Sequence, residues 1–367
     1  MIRPRSWLIA VTVLAFLISG SLLAPGLADS GANHQKRNTH FGVSGGNVND
    51  ASKSFCCSGT LGSLVTDGTN QYILSNNHVL GRSDTAVAGE DISQPGLIDN
   101  GCRVATLVGD FTIASPLGSN VDAAIAQLRA GTMDSTGFIE DIGVPSRSVV
   151  APSVGLSVAK SGRTTGFTTG TISSINTSVS VQYQTGCNSG KKFTVSYTNQ
   201  VVINSNTFSA GGDSGSLIVS NSGHNPVALL FAGSSTSTIG NPVGLVLTRL
   251  SSVLGRTLTF VGSGTASPTV QALSGDTQPF VRGFGGHMQQ LPEQAADRAS
   301  AVLEVHRANL MATPGVIGAG VGATSENDAE PAIVVYVDRT SSARPQFAPA
   351  LDGIAVRVVY TDPFVAF

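Results

Sequence analysis

The nonapeptide SAGGDSGSL occupies residues 209–217 of this 367-residue chain. A serine hydroxyl attacks a carbonyl group only when a base removes its proton, and N–H groups must be directed at the oxyanion that develops. A glycine two positions before a serine lets the backbone turn so that both N–H groups point to one place. We therefore predict Ser214 as a nucleophile, with the N–H groups of Gly212 and Ser214 as the oxyanion hole. Alone, a Gly-Asp-Ser-Gly string is equally consistent with an ordinary turn.

Two residues earlier in the chain can supply the base and the acid that such a serine needs. His78 follows a β-prone run in LSNNHVL, and Asp122 places an acid in the otherwise apolar stretch NVDAAIA. Taken singly, His78 could be a surface or capped histidine, and Asp122 a turn residue or a helix N-cap. Together they complete the order His, Asp, Ser, which differs from the order in subtilisin and in α/β-hydrolases. The sequence therefore predicts a catalytic triad of His78, Asp122 and Ser214.

The remaining pattern predicts a mainly β protein. Hydrophobic residues make up 41% of the chain, charged residues only 12%, and glycine occurs 43 times, which excludes a disordered chain and a coiled coil. Short β-prone runs follow one another between turns, and Asp67-Gly68 is a strong hairpin signal. Many short strands without a long helical period indicate an all-β sandwich or barrel.

The three motifs resemble those of chymotrypsin-like serine proteases, the trypsin superfamily, over about residues 41–260. The stretch KSGRTTG at 160–166 is also similar to a segment common in bacterial members. The resemblance implies two packed six-stranded antiparallel β-barrels with the active site in the cleft between them. It implies a serine endopeptidase in which Ser214 attacks the peptide bond, His78 moves the proton and Asp122 orients the imidazole.

The resemblance also suggests where substrate binds. It places Phe208 in the primary pocket. Because no acid stands there, a preference for Lys or Arg is not supported, and the pocket either favours small or apolar side chains or is blocked. It assigns Ala232, Gly233 and Ser234 to a wall on which the substrate backbone pairs as an extra strand. Asp213 is expected to order the oxyanion loop, but no Ile-Val-Gly-Gly activation terminus is evident, so an internal partner or none is possible. The alternative function is a catalytically silent peptide-binding module.

The chain divides into five predicted segments. These are a signal peptide (1–28), a lead-in or short pro-segment (29–50), a protease domain (51–262), a linker (263–290) and a small α+β domain (291–367). Within the protease domain, the first barrel extends to about residue 140 and the second begins at about residue 150. The apolar run in the first segment is too short for a comfortable membrane span and precedes small residues suited to signal cleavage. A secreted protein, extracellular or periplasmic and free of the membrane, is therefore expected.

The C-terminal segment should contain one helix and three strands. Helical spacing extends over 292–311, and strand-like runs follow at 315–321, 332–337 and 354–360. An inhibitory pro-domain, a chaperone-like segment and a targeting module are all compatible with this pattern. Intramolecular regulation by this domain is therefore one hypothesis.

The cysteines and charges limit the possible partners. Four cysteines allow three disulfide pairings, and joining the adjacent Cys56 and Cys57 would strain the backbone, so two patterns with Cys102 and Cys187 remain open. No usual zinc spacing occurs, and neither a metal nor another cofactor is predicted. No basic run indicates nucleic-acid binding. The expected partner is a protein or peptide substrate.

Overall fold

The computed structural model describes residues 34, 39–265, 290–325 and 329–367. The predicted signal peptide and nearly all of the predicted linker lie outside these ranges. Within them, the chain forms an eight-stranded and a twelve-stranded sheet, so the mainly β prediction is confirmed.

The strands and helices are numbered in chain order. The strands are β1 (Val43–Asn47), β2 (Gly59–Leu61), β3 (Ser63–Thr66), β4 (Gln71–Ser75), β5 (Asp91–Gln94), β6 (Thr106–Ala114), β7 (Ala124–Leu128), β8 (Ser157–Gly162), β9 (Gly166–Thr171), β10 (Ser174–Gln184), β11 (Lys192–Asn204), β12 (Leu217–Ser220), β13 (Pro226–Gly233), β14 (Ser237–Pro242), β15 (Thr259–Phe260), β16 (Val316–Ala323), β17 (Pro331–Asp338), β18 (Ala350–Leu351), β19 (Ile354–Thr361) and β20 (Phe364–Ala366). The helices are α1 (Asn77–Leu80), α2 (Val243–Leu254) and α3 (Glu293–Ala312), with a 3₁₀ turn at Leu97–Asn100.

The first sheet has the order β15-β3-β4-β7-β6-β5-β1-β2 and encloses the largest apolar core. Its β3–β4 hairpin turns at Asp67-Gly68 as predicted. The Asp67 side chain accepts hydrogen bonds from the N–H groups of Thr69 and Asn70, and Gly68 has a φ of +89°. The local turn signal therefore sets the register of this hairpin.

Strand β1 lies in the segment that was predicted as a lead-in. It is buried along its whole length and pairs with both β2 and β5. A Cβ atom on Gly45 would lie 2.4 Å from Cγ of Leu61, so glycine is needed for this close packing. The predicted domain start at residue 51 thus falls after a buried strand, because glycines that suggest a flexible segment here make room for neighbouring side chains.

The second sheet has the order β18-β19-β17-β16-β10-β11-β14-β13-β12-β8-β9, and β20 pairs with both β10 and β13. The C-terminal helix and strands form close to their predicted positions. Helix α3 packs Ala299, Leu303 and Leu310 into a core shared with β16 and β17. Because β16 pairs antiparallel with β10, the C-terminal strands continue the second sheet, and the strands per sheet exceed the predicted six.

Two disulfides join the cysteines as Cys56–Cys102 and Cys57–Cys187. This is one of the two patterns that the sequence left open. The second bridge ties the loop before β2 to the turn between β10 and β11, so it links the two sheets. Such a bridge typically contributes about 2–4 kcal/mol to the free energy of unfolding. In the described ranges, no helix combines the length and the apolar character required to span a membrane.

Candidate active site

His78 and Asp122 lie side by side at the end of the paired strands β4 and β7. His78 follows β4 in the short helix α1, and Asp122 precedes β7, whose Ala124 pairs with Ser75. The His78 Nδ1–H group donates to Asp122 Oδ2 at 2.7 Å, and the backbone N–H of His78 donates to Oδ1 at 3.2 Å. Both carboxylate oxygens therefore hold the imidazole in one orientation.

The Asp122 carboxylate is fully buried and has a second donor that the sequence did not reveal. The Tyr183 hydroxyl on β10 donates to Oδ2 at 2.8 Å and lies 2.7 Å from the Tyr197 hydroxyl. The backbone N–H of Asp122 donates to Asn241 Oδ1 at 3.0 Å. A buried carboxylate is tolerated only when its oxygens are paired in this way. A tyrosine in a β-prone run carries no local signal of such a role.

The charge of Asp122 also controls the titration of its neighbours. Burial alone lowers the pKa of His78, but the charge and hydrogen bond of Asp122, aided by the carbonyl of Phe367, leave this pKa above its usual value. Burial is the main cause that raises the pKa of Tyr183 well above its usual value, and Asp122 adds to it. Tyr183 therefore remains a donor across the physiological pH range.

Ser214 is fully buried, and its Oγ donates to the carbonyl oxygen of Phe231 at 3.2 Å. The His78 Nε2 atom contacts the Phe367 carbonyl oxygen at 3.1 Å. Ser214 nevertheless lies close to α1, since a Cβ on Gly59 would meet both Val79 Cγ2 at 2.6 Å and the Ser214 carbonyl oxygen at 2.9 Å. The structure therefore pairs His78 with Asp122 directly and places Ser214 nearby, with the Nε2 position taken by another group.

The loop around Ser214 requires its glycines. Gly212 has a φ of +96°, and a Cβ there would lie 2.5 Å from Thr164 Oγ1. Gly215 has the same φ, and a Cβ there would lie 2.1 Å from Ser75 Oγ. Among the described residues, the N–H groups of Gly212 and Ser214 have no hydrogen-bond acceptor. That arrangement leaves both donors available to an oxyanion.

Asp213 has an internal cationic partner, which resolves the choice that the sequence left open. The Nζ atom of Lys160 lies 3.4 Å from Asp213 Oδ2, and both side chains are fully buried. The Asp213 carboxylate also accepts from the Thr164 N–H at 2.8 Å, the Thr165 hydroxyl at 2.7 Å and the Ala210 N–H at 3.0 Å. Burial lowers the pKa of Lys160 despite the opposing charge of Asp213. The stretch KSGRTTG was the available signal for this partner.

The predicted pocket residue is buried beside β9, and the predicted wall residues contact the C-terminal segment. Phe208 is fully buried, and a Cβ on Gly170 of β9 would lie 2.8 Å from its ring. Ala232 and Gly233 pair antiparallel with Ala366 and Val365, respectively. The Ser234 hydroxyl lies 2.7 Å from that of Thr361.

An open cleft of about 540 Å³ continues beside this segment. Its lining includes His78, Arg82, Gly212 and Phe367, together with the Cys57–Cys187 bridge. Arg163 also lines it and is held by two 2.6 Å hydrogen bonds to Asp99. In the part of the chain that the structure describes, no group of three His, Cys, Asp or Glu side chains could hold a metal ion.

A histidine oriented by a buried aspartate, next to a serine in a glycine-bounded loop, is the arrangement typical of serine hydrolases. No protein-family model matches the chain. No curated protein matches it either.

Solved structures to which the chain is similar are serine proteases. One is a glutamic acid-specific serine protease that uses a histidine triad in substrate binding; it is 23% identical, with 60% of this chain and 98% of that chain covered and a TM-score of 0.41. Protease A of Thermobifida fusca is 19% identical, with 61% and 99% covered and a TM-score of 0.39. A chymotrypsin of Cellulomonas bogoriensis is 19% identical, with 61% and 99% covered and a TM-score of 0.41.

Proposed function

We propose that this protein is a serine endopeptidase with Ser214, His78 and Asp122 as its catalytic triad. The observation that carries the proposal is the two-point hold of the buried Asp122 carboxylate on the ring and the backbone of His78. This hold keeps a proton on Nδ1 and leaves Nε2 as the base. Packing alone would not require a buried aspartate that orients a histidine in this way.

The reaction follows from these positions. Ser214 Oγ attacks the substrate carbonyl carbon while His78 Nε2 takes the hydroxyl proton, and the resulting imidazolium is stabilised by Asp122. The N–H groups of Gly212 and Ser214 stabilise the oxyanion. The imidazolium then protonates the leaving amine, and water hydrolyses the acyl-enzyme by the same route. Before Ser214 can attack, His78 Nε2 must exchange its contact with Phe367 for one with Ser214.

The proposed substrate is a protein or peptide in an extended conformation. The backbone of Ala232, Gly233 and Ser234, once β20 has left it, would pair with it as an added strand, and an apolar side chain would enter the pocket near Phe208. Export is part of the proposal, because two disulfides persist best in an oxidising compartment and residues 1–28 have the pattern of a cleaved signal. The site would then act outside the cell or in a periplasm.

A catalytically silent peptide-binding module is the second candidate. It is favoured by one observation, namely that both Ser214 Oγ and His78 Nε2 are hydrogen-bonded to carbonyl oxygens and not to each other. A binding module would keep this arrangement with every ligand.

A serine-directed aryl phosphonate distinguishes the two candidates. The endopeptidase should form a covalent adduct at Ser214, located by peptide mass mapping, and Ser214→Ala should abolish it. Ser222→Ala, at an exposed serine away from the cleft, is the matched control and should label normally. A folded protein that remains unlabelled after prolonged exposure, with and without residues 364–367, would contradict the endopeptidase and support the silent module.

A further inference from the structure

The last strand of the chain lies where substrate is expected to bind. Strand β20 pairs antiparallel with β13 through Ala366↔Ala232 and Val365↔Gly233. On its other edge, it pairs parallel with β10 through Phe364 and Val365. Backbone pairing of this kind is how an extended peptide adds to a sheet edge. The predicted substrate wall is therefore already filled by a strand in an extended conformation.

The same strand ends at the catalytic base. The Phe367 carbonyl oxygen, 3.1 Å from His78 Nε2, is an acceptor, and so is the Asp122 carboxylate at Nδ1. Both ring nitrogens must therefore carry protons, which makes the imidazole a cation that cannot accept the proton of Ser214. The segment blocks the base chemically as well as sterically.

The side chain of Phe367 indicates what the primary pocket accepts. Its ring packs against the apolar cluster that includes Phe208. A Cβ on Gly233 would lie 2.5 Å from Phe367 Cζ, so the ring lies directly over this glycine. The pocket is thus occupied, and its occupant is aromatic.

The segment is held there by the C-terminal domain. Phe364 is fully buried, and its ring centroid lies 5.8 Å from that of Tyr336. The hydroxyl of Ser235, beside the wall, donates a hydrogen bond to Asp362 and accepts one from Arg339. A short tether of this kind gives a local concentration in the millimolar range. An external peptide must compete with that concentration.

We infer that residues 364–367 form an internal substrate-like ligand that closes the active-site cleft, and that the cleft takes extended peptides with an aromatic residue before the cleaved bond. The inference rests on the proposed endopeptidase function. It predicts that the segment must leave the wall before substrate is cleaved.

The test compares the full chain with a chain shortened to end at Pro363, which removes the whole segment and leaves its site free. Labelling of Ser214 by a phenylalanine-type aryl phosphonate should be at least roughly tenfold faster in the shortened chain, because the tethered competitor is lost. Phe367→Ala should give an intermediate rate. Val305→Ala, at an exposed position on α3, should label like the full chain.

Addition of the free tetrapeptide Phe-Val-Ala-Phe should slow labelling of the shortened chain again. When Ser214 is labelled, equal labelling rates in the full and shortened chains, or no effect of the tetrapeptide, would overturn the inference.

A binding measurement separates this inference from the proposed function. Fluorescently labelled tetrapeptide should bind the shortened Ser214→Ala chain and not the full-length Ser214→Ala chain, whether or not catalysis occurs. Binding to both chains or to neither overturns the inference. Absence of phosphonate labelling in a shortened chain that does bind the tetrapeptide counts against the endopeptidase alone.

Discussion

Two carboxylates, Asp122 and Asp213, are fully buried within the same molecule and are used in opposite ways. Asp122 is paired with an imidazole that borders an open cleft. Asp213 is paired with the buried ammonium group of Lys160 and is surrounded by loop N–H and hydroxyl donors. Each arrangement compensates the cost of burying a charge. The partner of Asp122 is an imidazole, the side chain that ordinarily titrates near neutral pH.

The two carboxylates therefore have different roles, one in proton transfer and the other in holding a loop. The Asp213–Lys160 pair holds the loop that carries Ser214, whereas the imidazole of the Asp122–His78 pair can take up and release a proton. Asp213 also has no free charge to offer a basic substrate. The predictions below test this separation.

The largest effect is expected for Asp122→Asn. The amide no longer holds the imidazole in the required tautomer, so kcat/KM should fall by about 10⁴-fold while the fold is kept. The measurement is peptide hydrolysis by the chain shortened to Pro363, with circular dichroism to check folding. A loss of less than roughly tenfold would remove Asp122 from the triad.

The second effect is on stability. Lys160→Met leaves Asp213 buried without its cation, and the free energy of unfolding should decrease by about 3–5 kcal/mol. Chemical denaturation measures this decrease, and Lys191→Met at an exposed lysine serves as the control. The double variant Lys160→Met with Asp213→Asn should recover part of the stability. A double variant no more stable than Lys160→Met would show that the two groups are not coupled.

The third effect concerns the primary pocket. A peptide with Phe before the cleaved bond should be preferred over the same peptide with Lys by about 1.5–3 kcal/mol, the gain from burying an aromatic side chain. The fully buried ring of Phe208 offers no charge to a basic side chain. Competition between the two peptides, followed by mass spectrometry, gives the ratio of kcat/KM. A preference for Lys would contradict an apolar primary pocket.

The smallest effect is a change in pH dependence. The neutral imidazole is the active form, so activity should be lost as the pH falls through the pKa of His78, which Asp122 holds above its usual value. Tyr183→Phe removes a donor from Asp122 and leaves more of its charge to His78. The acid limb of kcat/KM should therefore move to higher pH by less than about one unit. A limb that moves to lower pH would contradict this role of Tyr183.

Some features of the site and of the fold could be predicted from local sequence. The glycines around Ser214 and the apolar surroundings of Asp122 are short-range signals, and the helix and strands after residue 290 follow from periodicity. These features depend on neighbours in sequence, so the chain displays them directly.

The partners that complete the site come from far along the chain. Tyr183 reaches Asp122 from β10, Phe367 reaches His78 from the last strand, and Lys160 reaches Asp213 across 53 residues of sequence. Each meeting depends on sheet pairing, which brings together strands that have no common sequence pattern. The Gly-rich β1 was missed for the opposite reason, because small residues required by close packing look like a flexible segment.

The pairing of β16 with β10 has a consequence for how the cleft can open. The edge of β10 is covered by the C-terminal strands from Ser174 to Val179. Departure of the whole domain would leave an unpaired edge, which is a template for association with other chains. Opening is therefore expected to be a local fraying of the final residues, and a chain truncated before residue 290 should self-associate in solution instead of acting as an unmasked enzyme.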